Sequence, residues 1–382
     1  MRFRCTTTVV IAVYVALMTA ALCYMLPMKE VPPFVISDAL YYPRVAQNVV
    51  AGYGVTFDRQ TYTNGLHPLW GALLLLPALL AGGDHITMLR LTFLACGAFV
   101  VVGITSLHGL ARQLRWLRAG TVLATALLFF PRADLWLSLL ESGPAMGILL
   151  LTLYLCRRYE LLTAESVWCT LLFGFLMAIV FLVRLDQVFI VLAMFVGAVY
   201  VRMRAGQLWR RTLRSILVSG LFALLIVLPY LIANFHFFGH IVPVSGRKKH
   251  VLAESATAVF SGMFESFFIV ARQTGLPAWA VGLLVVTVVA ALGLYAIRFA
   301  PRRGEDTPQI TAGGVIPFFA LGTVVRLVYL RIFVSDEASY VHWYWIPEYV
   351  LCCIIAGYLA ARAAEAVQHL RARRALGVLG YA

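Results

Sequence analysis

Apolar and polar positions along this chain alternate in long blocks, not residue by residue. Apolar runs of roughly 15–25 residues recur, separated by short basic or polar segments, which is the pattern of helices that cross a bilayer. The blocks predict spans at 7–26, 87–110, 119–132, 143–156, 166–183, 187–201, 215–234, 277–297, 312–332 and 345–361. The period-2 alternation of a transmembrane barrel is missing. The fold class read from this pattern is all-α, a polytopic transmembrane helical bundle of about ten spans. One apolar block fits less well. Residues 67–82 are short and carry Pro68 and Pro77, so they read as an interfacial helix that does not cross.

Charge placement supports that reading. With 67–82 kept on one side, nineteen of the 31 Lys and Arg residues collect in the loops of a single face, as the positive-inside rule requires. Both termini are then expected in the cytoplasm, in a multi-pass protein of the cell (inner or plasma) membrane. The outside receives a large first loop at 27–86, a second at 235–276, and shorter ones at 133–142, 184–186 and 333–344. The apolar run after Arg2 and Arg4 is longer than a signal-peptide core and lacks a cleavage site after it, so it reads as an uncleaved first span. Residues 1–382 read as a single integral membrane domain with no separate soluble domain.

Composition agrees. The 382 residues are 62% hydrophobic and 13% charged. A soluble domain carries about twice that charged fraction. The formal net charge of +14 points to topology and not to nucleic acid, because the arginines flank apolar runs. The seven cysteines have no CxxC spacing and read as small packing residues.

Polar chemistry concentrates on the outer side. The segment SDALYYPRVAQNVVAGYGVTFDRQTYTNGLHPLW (37–70) is too rich in functional groups for a plain connector. Ser37 suits a helix N-cap and Asp38 the first turn, with Pro43 expected to kink the helix. Asp38 is also a carboxylate placed where an acceptor hydroxyl arrives from outside, a candidate general base. Tyr41, Tyr42, Asn64 and His67 are candidate ligand-contacting groups, with a structural hydrogen bond the alternative for His67, and Trp70 reads as an aromatic belt residue. Glu141 stands at an outer helix end with Asp134 in the same loop, and Arg184 and Asp186 flank a hairpin. Either the last two form an ion pair that holds the turn, or the outer carboxylates form a base with a metal or sugar-hydroxyl site. Arg247, Lys248 and Lys249, followed by His250, put positive charge where topology disfavours it; a bound phosphate would explain them, as would a solvated loop contacting anionic lipid headgroups. Trp343 belongs to an aromatic run, 340–345, that suits a sugar face or a membrane belt. Arg326 lies inside an apolar run and needs a partner or a phosphate.

Asp38, Tyr41-Tyr42, AGYGVTFD and TNGLHPLW together resemble bacterial membrane proteins of the GT-C glycosyltransferase superfamily. Glu141 looks like that group's acid in the second outer loop, Arg184-Leu-Asp186 like its R-P-D turn, and FGHIVPVSGRKK like its F-G-x-x-P loop. The resemblance implies a membrane glycosyltransferase with an extracytoplasmic active site. It would move a sugar from a polyprenyl-phosphate-linked donor to a glycan, lipid or protein acceptor by inverting displacement, acting in cell-envelope glycan biosynthesis. Asp38 would be the base, with Glu141 as the second catalytic acid. Arg247, Lys248 and Lys249 would face the leaving phosphate. Membrane lipids are the other expected partner, and no nucleic acid is. Ser37 stands where the group has the first acid of a pair, so the usual metal-holding pair is incomplete and no cofactor is assigned. Gly143-Pro144 and Pro43 are further departures. A transporter or flippase for lipid-linked sugars, or a non-catalytic partner of another membrane enzyme, would account for the basic loop without a catalytic acid.

Overall fold

The computed structural model describes residues 13–20, 23, 35, 37–116, 118–129, 133–241, 243, 308–333 and 342–379. The described residues are helical and carry one isolated β-bridge, between Thr56 and Tyr62. The first loop folds as α1 (Ser37–Val50), α2 (Pro68–Leu73) and α3 (Leu75–Ala81). Then follow α4 (His85–Gln113), α5 (Arg118–Phe129), the short α6 (Ala133–Trp136), α7 (Ser142–Arg158) and α8 (Val167–Val183). A 3-10 turn over Leu185–Gln187 leads into α9 (Val188–Arg204) and α10 (Trp209–Phe238). Finally come α11 (Pro308–Phe333), a 3-10 turn over His342–Trp345, and α12 (Ile346–Leu379).

Five described stretches are long and apolar enough to cross a membrane: His85–Gln113, Leu185–Arg204, Trp209–Phe238, Val315–Phe333 and Ile346–Gln368. Arg118–Phe129 and Val167–Val183 are shorter apolar helices. The expected span 277–297 lies outside the described residues, and 7–26 is helical where described, at 13–20. The surface of these helices fits lipid. In α10, Leu213, Leu217, Leu221, Leu224, Leu225 and Ile232 are exposed, whereas Thr212, Ser219, Val227 and Asn234 are buried. A helix that hides its small and polar residues and shows its leucines is stable in hydrocarbon, not in water.

Starts and stops follow local chemistry. Asp84 caps α4 by accepting from Thr87 N at 2.8 Å, and Ser166 caps α8 by accepting from Cys169 N. The 67–82 block is not one helix: it breaks at Leu74 into α2 and α3. Trp70, Leu74, Ala78 and Ala81 are buried along one face at helical spacing while Leu76, Leu79 and Leu80 face outward. Trp70 is therefore not a belt residue. It is fully buried, and its Nε1 donates to Leu139 O at 3.1 Å. Pro43 does not interrupt α1, which runs unbroken with Pro43 buried. A proline removes one N–H from the ladder, and here the flanking turns hold. The described part of α1 begins at Ser37, and the residue before it lies outside the described residues. The loop expected at 235–276 also starts later, because α10 continues to Phe238 and ends on Gly239 at φ 68°.

Helices pack out of chain order. α4 lies on α7, α5 on α12, α8 on α10 and α9 on α11. Glycines permit the closest crossings. A Cβ on Gly120 would stand 2.2 Å from Gly357 O, and one on Gly174 2.4 Å from Ser219 O. This interleaving brings the start of α7, the end of α8, the start of α9, the middle of α11 and the start of α12 together beneath the first loop.

Candidate functional site

A cavity of about 750 Å³ opens between the first loop and these helix ends. Ser37, Asp38, Tyr41, Tyr42, Phe57 and His67 line it from the first loop; Glu141, Arg184 and Asp186 come from the α7–α9 ends. Tyr230, Tyr329 and Tyr344 line it from α10, α11 and the last 3-10 turn. Asp38, Tyr41 and Tyr42 share one face of α1 because they are spaced i, i+3 and i+4. Asp38 is exposed and has no hydrogen-bond or ion-pair partner among the described residues.

The other carboxylates are held by guanidiniums. Arg184 Nη1 lies 2.9 Å from Glu141 Oε1, and its Nε lies 3.1 Å from Asp186 Oδ1. Arg326 Nε donates to Asp186 Oδ2 at 3.1 Å, and Nη2 contacts the same oxygen. Arg326 Nη1 donates to both Glu348 oxygens, at 2.8 and 3.0 Å, and Nη2 donates to Tyr344 O at 2.6 Å. All five N–H groups of Arg326 are thus spent on protein acceptors. The result is a buried ladder, Glu141–Arg184–Asp186–Arg326–Glu348, with Arg184 and Arg326 1% and 0% exposed. Arg184 also sits over the Tyr344 ring, 5.3 Å from its centroid. The expectation of a partner or phosphate for Arg326 resolves to protein partners.

His67 joins the ladder from the first loop. Its Nδ1 accepts from Leu185 N at 3.4 Å, and its Nε2 lies 3.5 Å from Glu141 Oε1. A backbone amide can only donate, so Nδ1 carries no proton and Nε2–H faces the carboxylate. Burial pushes the His67 pKa below its usual value, with Glu141 opposing and Arg184 assisting. The residue is a neutral hydrogen-bond donor at pH 7. Beside it, Tyr42 Oη accepts from His67 N at 3.3 Å. Burial, and then the charge of Glu141, push the Tyr42 pKa well above the usual phenol range.

The glycine-rich turn is held as a rigid shelf. Asn48, 1% exposed, donates to Thr56 O at 2.9 Å and Phe57 O at 3.0 Å, and accepts from Arg59 Nε at 3.3 Å. Thr63 N donates to Val55 O, and Asp58 Oδ1 accepts from Gln60 N and Thr61 N. Those amides hold the Asp58 carboxyl below its usual pKa. Gly54 adopts φ +70° with the Tyr62 ring 2.9 Å from where a Cβ would be. A side chain there would meet both strain and a clash.

Of the site residues expected from sequence, Asp38, Tyr41, Tyr42, His67, Glu141, Arg184 and Asp186 line one cavity. Asn64 does not. It is buried below, where its Nδ2 donates to Asn234 Oδ1 at 3.5 Å. Asp134 is also not among the cavity-lining residues. Arg247, Lys248, Lys249 and His250 lie outside the described residues, as does the Trp343 side chain. Trp345, expected as belt or sugar platform, is instead buried, with Arg331 5.3 Å from its ring centroid. Sequence reasoning misses Glu348 and Phe57. Glu348 has a signal, since Arg326 within an apolar run demands an acid. No three His, Cys, Asp or Glu side chains among the described residues are grouped to hold a metal ion. With Glu141 and Asp186 committed to arginines, Asp38 is the one carboxylate lining the cavity that no described guanidinium engages, and a single carboxylate does not make a divalent-cation site.

No protein-family model matches the chain, and no curated protein sequence matches it. Among solved structures, it is similar to the archaeal oligosaccharyltransferase AglB from Archaeoglobus fulgidus, solved in complex with an inhibitory peptide and a dolichol-phosphate. The match has 15% identity and a TM-score of 0.47, and it covers 98% of this chain and 52% of that one. The chain spans about half the length of that solved protein.

Proposed function

We propose that this chain is a membrane glycosyltransferase of the GT-C type. It transfers a sugar from a polyprenyl-phosphate-linked donor to a hydroxyl acceptor on the extracytoplasmic face, with Asp38 as general base. One observation carries the reading. Residues singled out by the first-loop motif and by the Glu141 and Arg184-x-Asp186 positions, far apart in sequence, line one cavity. Within that cavity Asp38 is the carboxylate not engaged by a described guanidinium, which leaves its lone pairs for an incoming proton.

In the proposed reaction the acceptor oxygen forms a bond to the anomeric carbon as its proton passes to Asp38. The bond from that carbon to the phosphate oxygen breaks, and the electron pair leaves with the polyprenyl phosphate. Attack from the face opposite the phosphate inverts the configuration. Arg247, Lys248 and Lys249 would neutralise the leaving group. Glu141 acts as a positioning residue, because it fixes Arg184 and faces His67 Nε2–H. His67, with both ring nitrogens committed to Leu185 N and Glu141, holds the first loop on the ladder.

The test is transfer of radiolabelled sugar from a panel of polyprenyl-phosphate sugars by purified protein in nanodiscs. Asp38→Asn is expected to lower turnover by about 10²–10⁴-fold, with an unchanged gel-filtration profile and melting midpoint. Turnover retained in Asp38→Asn would remove Asp38 as the base.

A further inference from the structure

The acceptor class is left open by the reaction, but the shelf beside Asp38 narrows it; this step rests on the transferase reading above. Phe57 is 47% exposed and lines the cavity. Its ring stacks on Tyr41, with centroids 5.0 Å apart and planes inclined by 19°. Tyr41 is fixed in turn through its hydroxyl, which hydrogen-bonds Thr63 Oγ1. The backbone under Phe57 is equally fixed, since Asn48 donates to its carbonyl and to that of Thr56. Gly52, Gly54, Thr56 and Asp58 are explained by the turn itself: two positive φ angles, a hydroxyl donating to Tyr53 O, and a carboxylate accepting two amides. Phe57 is not used in this way. Its side chain adds nothing to the turn's hydrogen bonding and leaves a large apolar ring half in the open.

We propose that Phe57, backed by Tyr41, is the platform on which a sugar ring of the acceptor stacks, so that the acceptor is a saccharide. The chemistry around the ring matches a polyol. An aromatic face suits the C–H face of a pyranose or furanose. The rim supplies acceptors and two-way hydroxyls: the Asp38 carboxylate, Ser37, and the Tyr41–Thr63 hydroxyl pair. Asp38 lies one turn of α1 from Tyr41, which sets a hydroxyl of the stacked ring toward the base. A peptide acceptor laid along the shelf as an added strand would need free backbone groups. Here the carbonyls of Thr56 and Phe57 are taken by Asn48, and Thr63 N is taken by Val55 O. An anionic headgroup would meet the Asp38 charge. The backbone groups of the shelf are already hydrogen-bonded within it, so little ordering opposes binding.

The test needs no donor. Saturation-transfer difference NMR on the full chain in nanodiscs would use three probes: a linear mannotetraose, a linear arabinofuranose tetrasaccharide, and an Ala-Asn-Ala-Thr peptide amide. At least one saccharide is expected to receive saturation. That signal should weaken about tenfold in Phe57→Ala and return in Phe57→Trp, which restores a flat face. Phe57→Leu keeps apolar bulk against Tyr41 without the plate, and it should lose the signal to the same extent should Phe57→Ala not fold. The proposal is overturned if both saccharides are silent, if their signal does not depend on Phe57, or if only the peptide binds through Phe57. The two readings separate. Phe57-dependent saccharide binding in a protein that transfers no sugar sinks the transferase reading and keeps the platform. Transfer that ignores Phe57 does the reverse.

Discussion

Removing the Arg326 guanidinium tests the buried ladder most sharply. Arg326 is 0% exposed and bridges Asp186 to Glu348 through four of its five hydrogen bonds, with Tyr344 O taking the fifth. In Arg326→Met the packing volume is roughly kept, but two carboxylates lose their counter-charge. Asp186 keeps Arg184, through contacts of 3.1 and 3.3 Å. Glu348 pairs with Arg326 through both of its oxygens, so most of the loss falls there. Breaking one side of a buried pair costs about 3–5 kcal/mol. The double variant Arg326→Met/Glu348→Gln removes the orphaned charge and should recover about 1–3 kcal/mol of that loss. Arg326→Lys should recover little, because one ammonium cannot reach both acids with the fork geometry. The readout is the SDS-titration midpoint in mixed micelles, followed by tryptophan fluorescence. If Arg326→Met falls within about 1 kcal/mol of the parent protein, the exposed-pair range, the ladder is not a buried electrostatic unit. If the double variant is no better than the single one, Glu348 is not the group left stranded.

Two further outcomes follow from the packing and from the site. The His67 pKa is lowered by burial in the folded protein, so its contribution to stability is full above the unfolded value of about 6.5. It is lost as pH falls through the folded pKa, because the unfolded state takes up the proton first. A His67→Gln protein should show a shallower drop in melting midpoint between pH 7 and 5 than the parent; parallel curves would remove His67 as the titrating group. At the α5–α12 crossing, a Cβ on Gly120 would sit 2.2 Å from Gly357 O. Gly120→Ala should therefore cost about 1–3 kcal/mol in the same SDS titration, whereas Gly220→Ala, with nothing within 4 Å, should be near neutral.

Much of the site is legible in the sequence because it is local. The i, i+3, i+4 spacing of Asp38, Tyr41 and Tyr42 places them on one face of any helix, and positive-inside bookkeeping puts Glu141, Arg184 and Asp186 on the same side as that helix. What fails is nonlocal. Arg326 finds Asp186 140 residues away, and apolar periodicity is silent about which helices touch. The out-of-order pairs α4–α7 and α5–α12 are decided by glycine crossings, not by hydropathy. Trp70 and Trp345 pass for belt residues for a related reason. A tryptophan near the interface has the same sequence context whether it faces lipid or, like Trp70, finds a carbonyl for its indole inside. Phe57 is hidden because its neighbours in GVTFD explain the turn without it.

The ladder also bears on how the chain is made. In order of synthesis its members are Glu141, Arg184, Asp186, Arg326 and Glu348, an acid and a base alternating throughout. As the chain is made, the running charge of this set is never more than one unit from zero. Each arginine meets an acid already delivered: Arg184 finds Glu141, and Arg326 finds Asp186. Taking an unpaired guanidinium out of water is costly, and here the waiting carboxylate offsets that cost on arrival. Glu348 comes last in the chain and closes the ladder from α12, so the order of the five residues lets each new charge find its counter-charge already made.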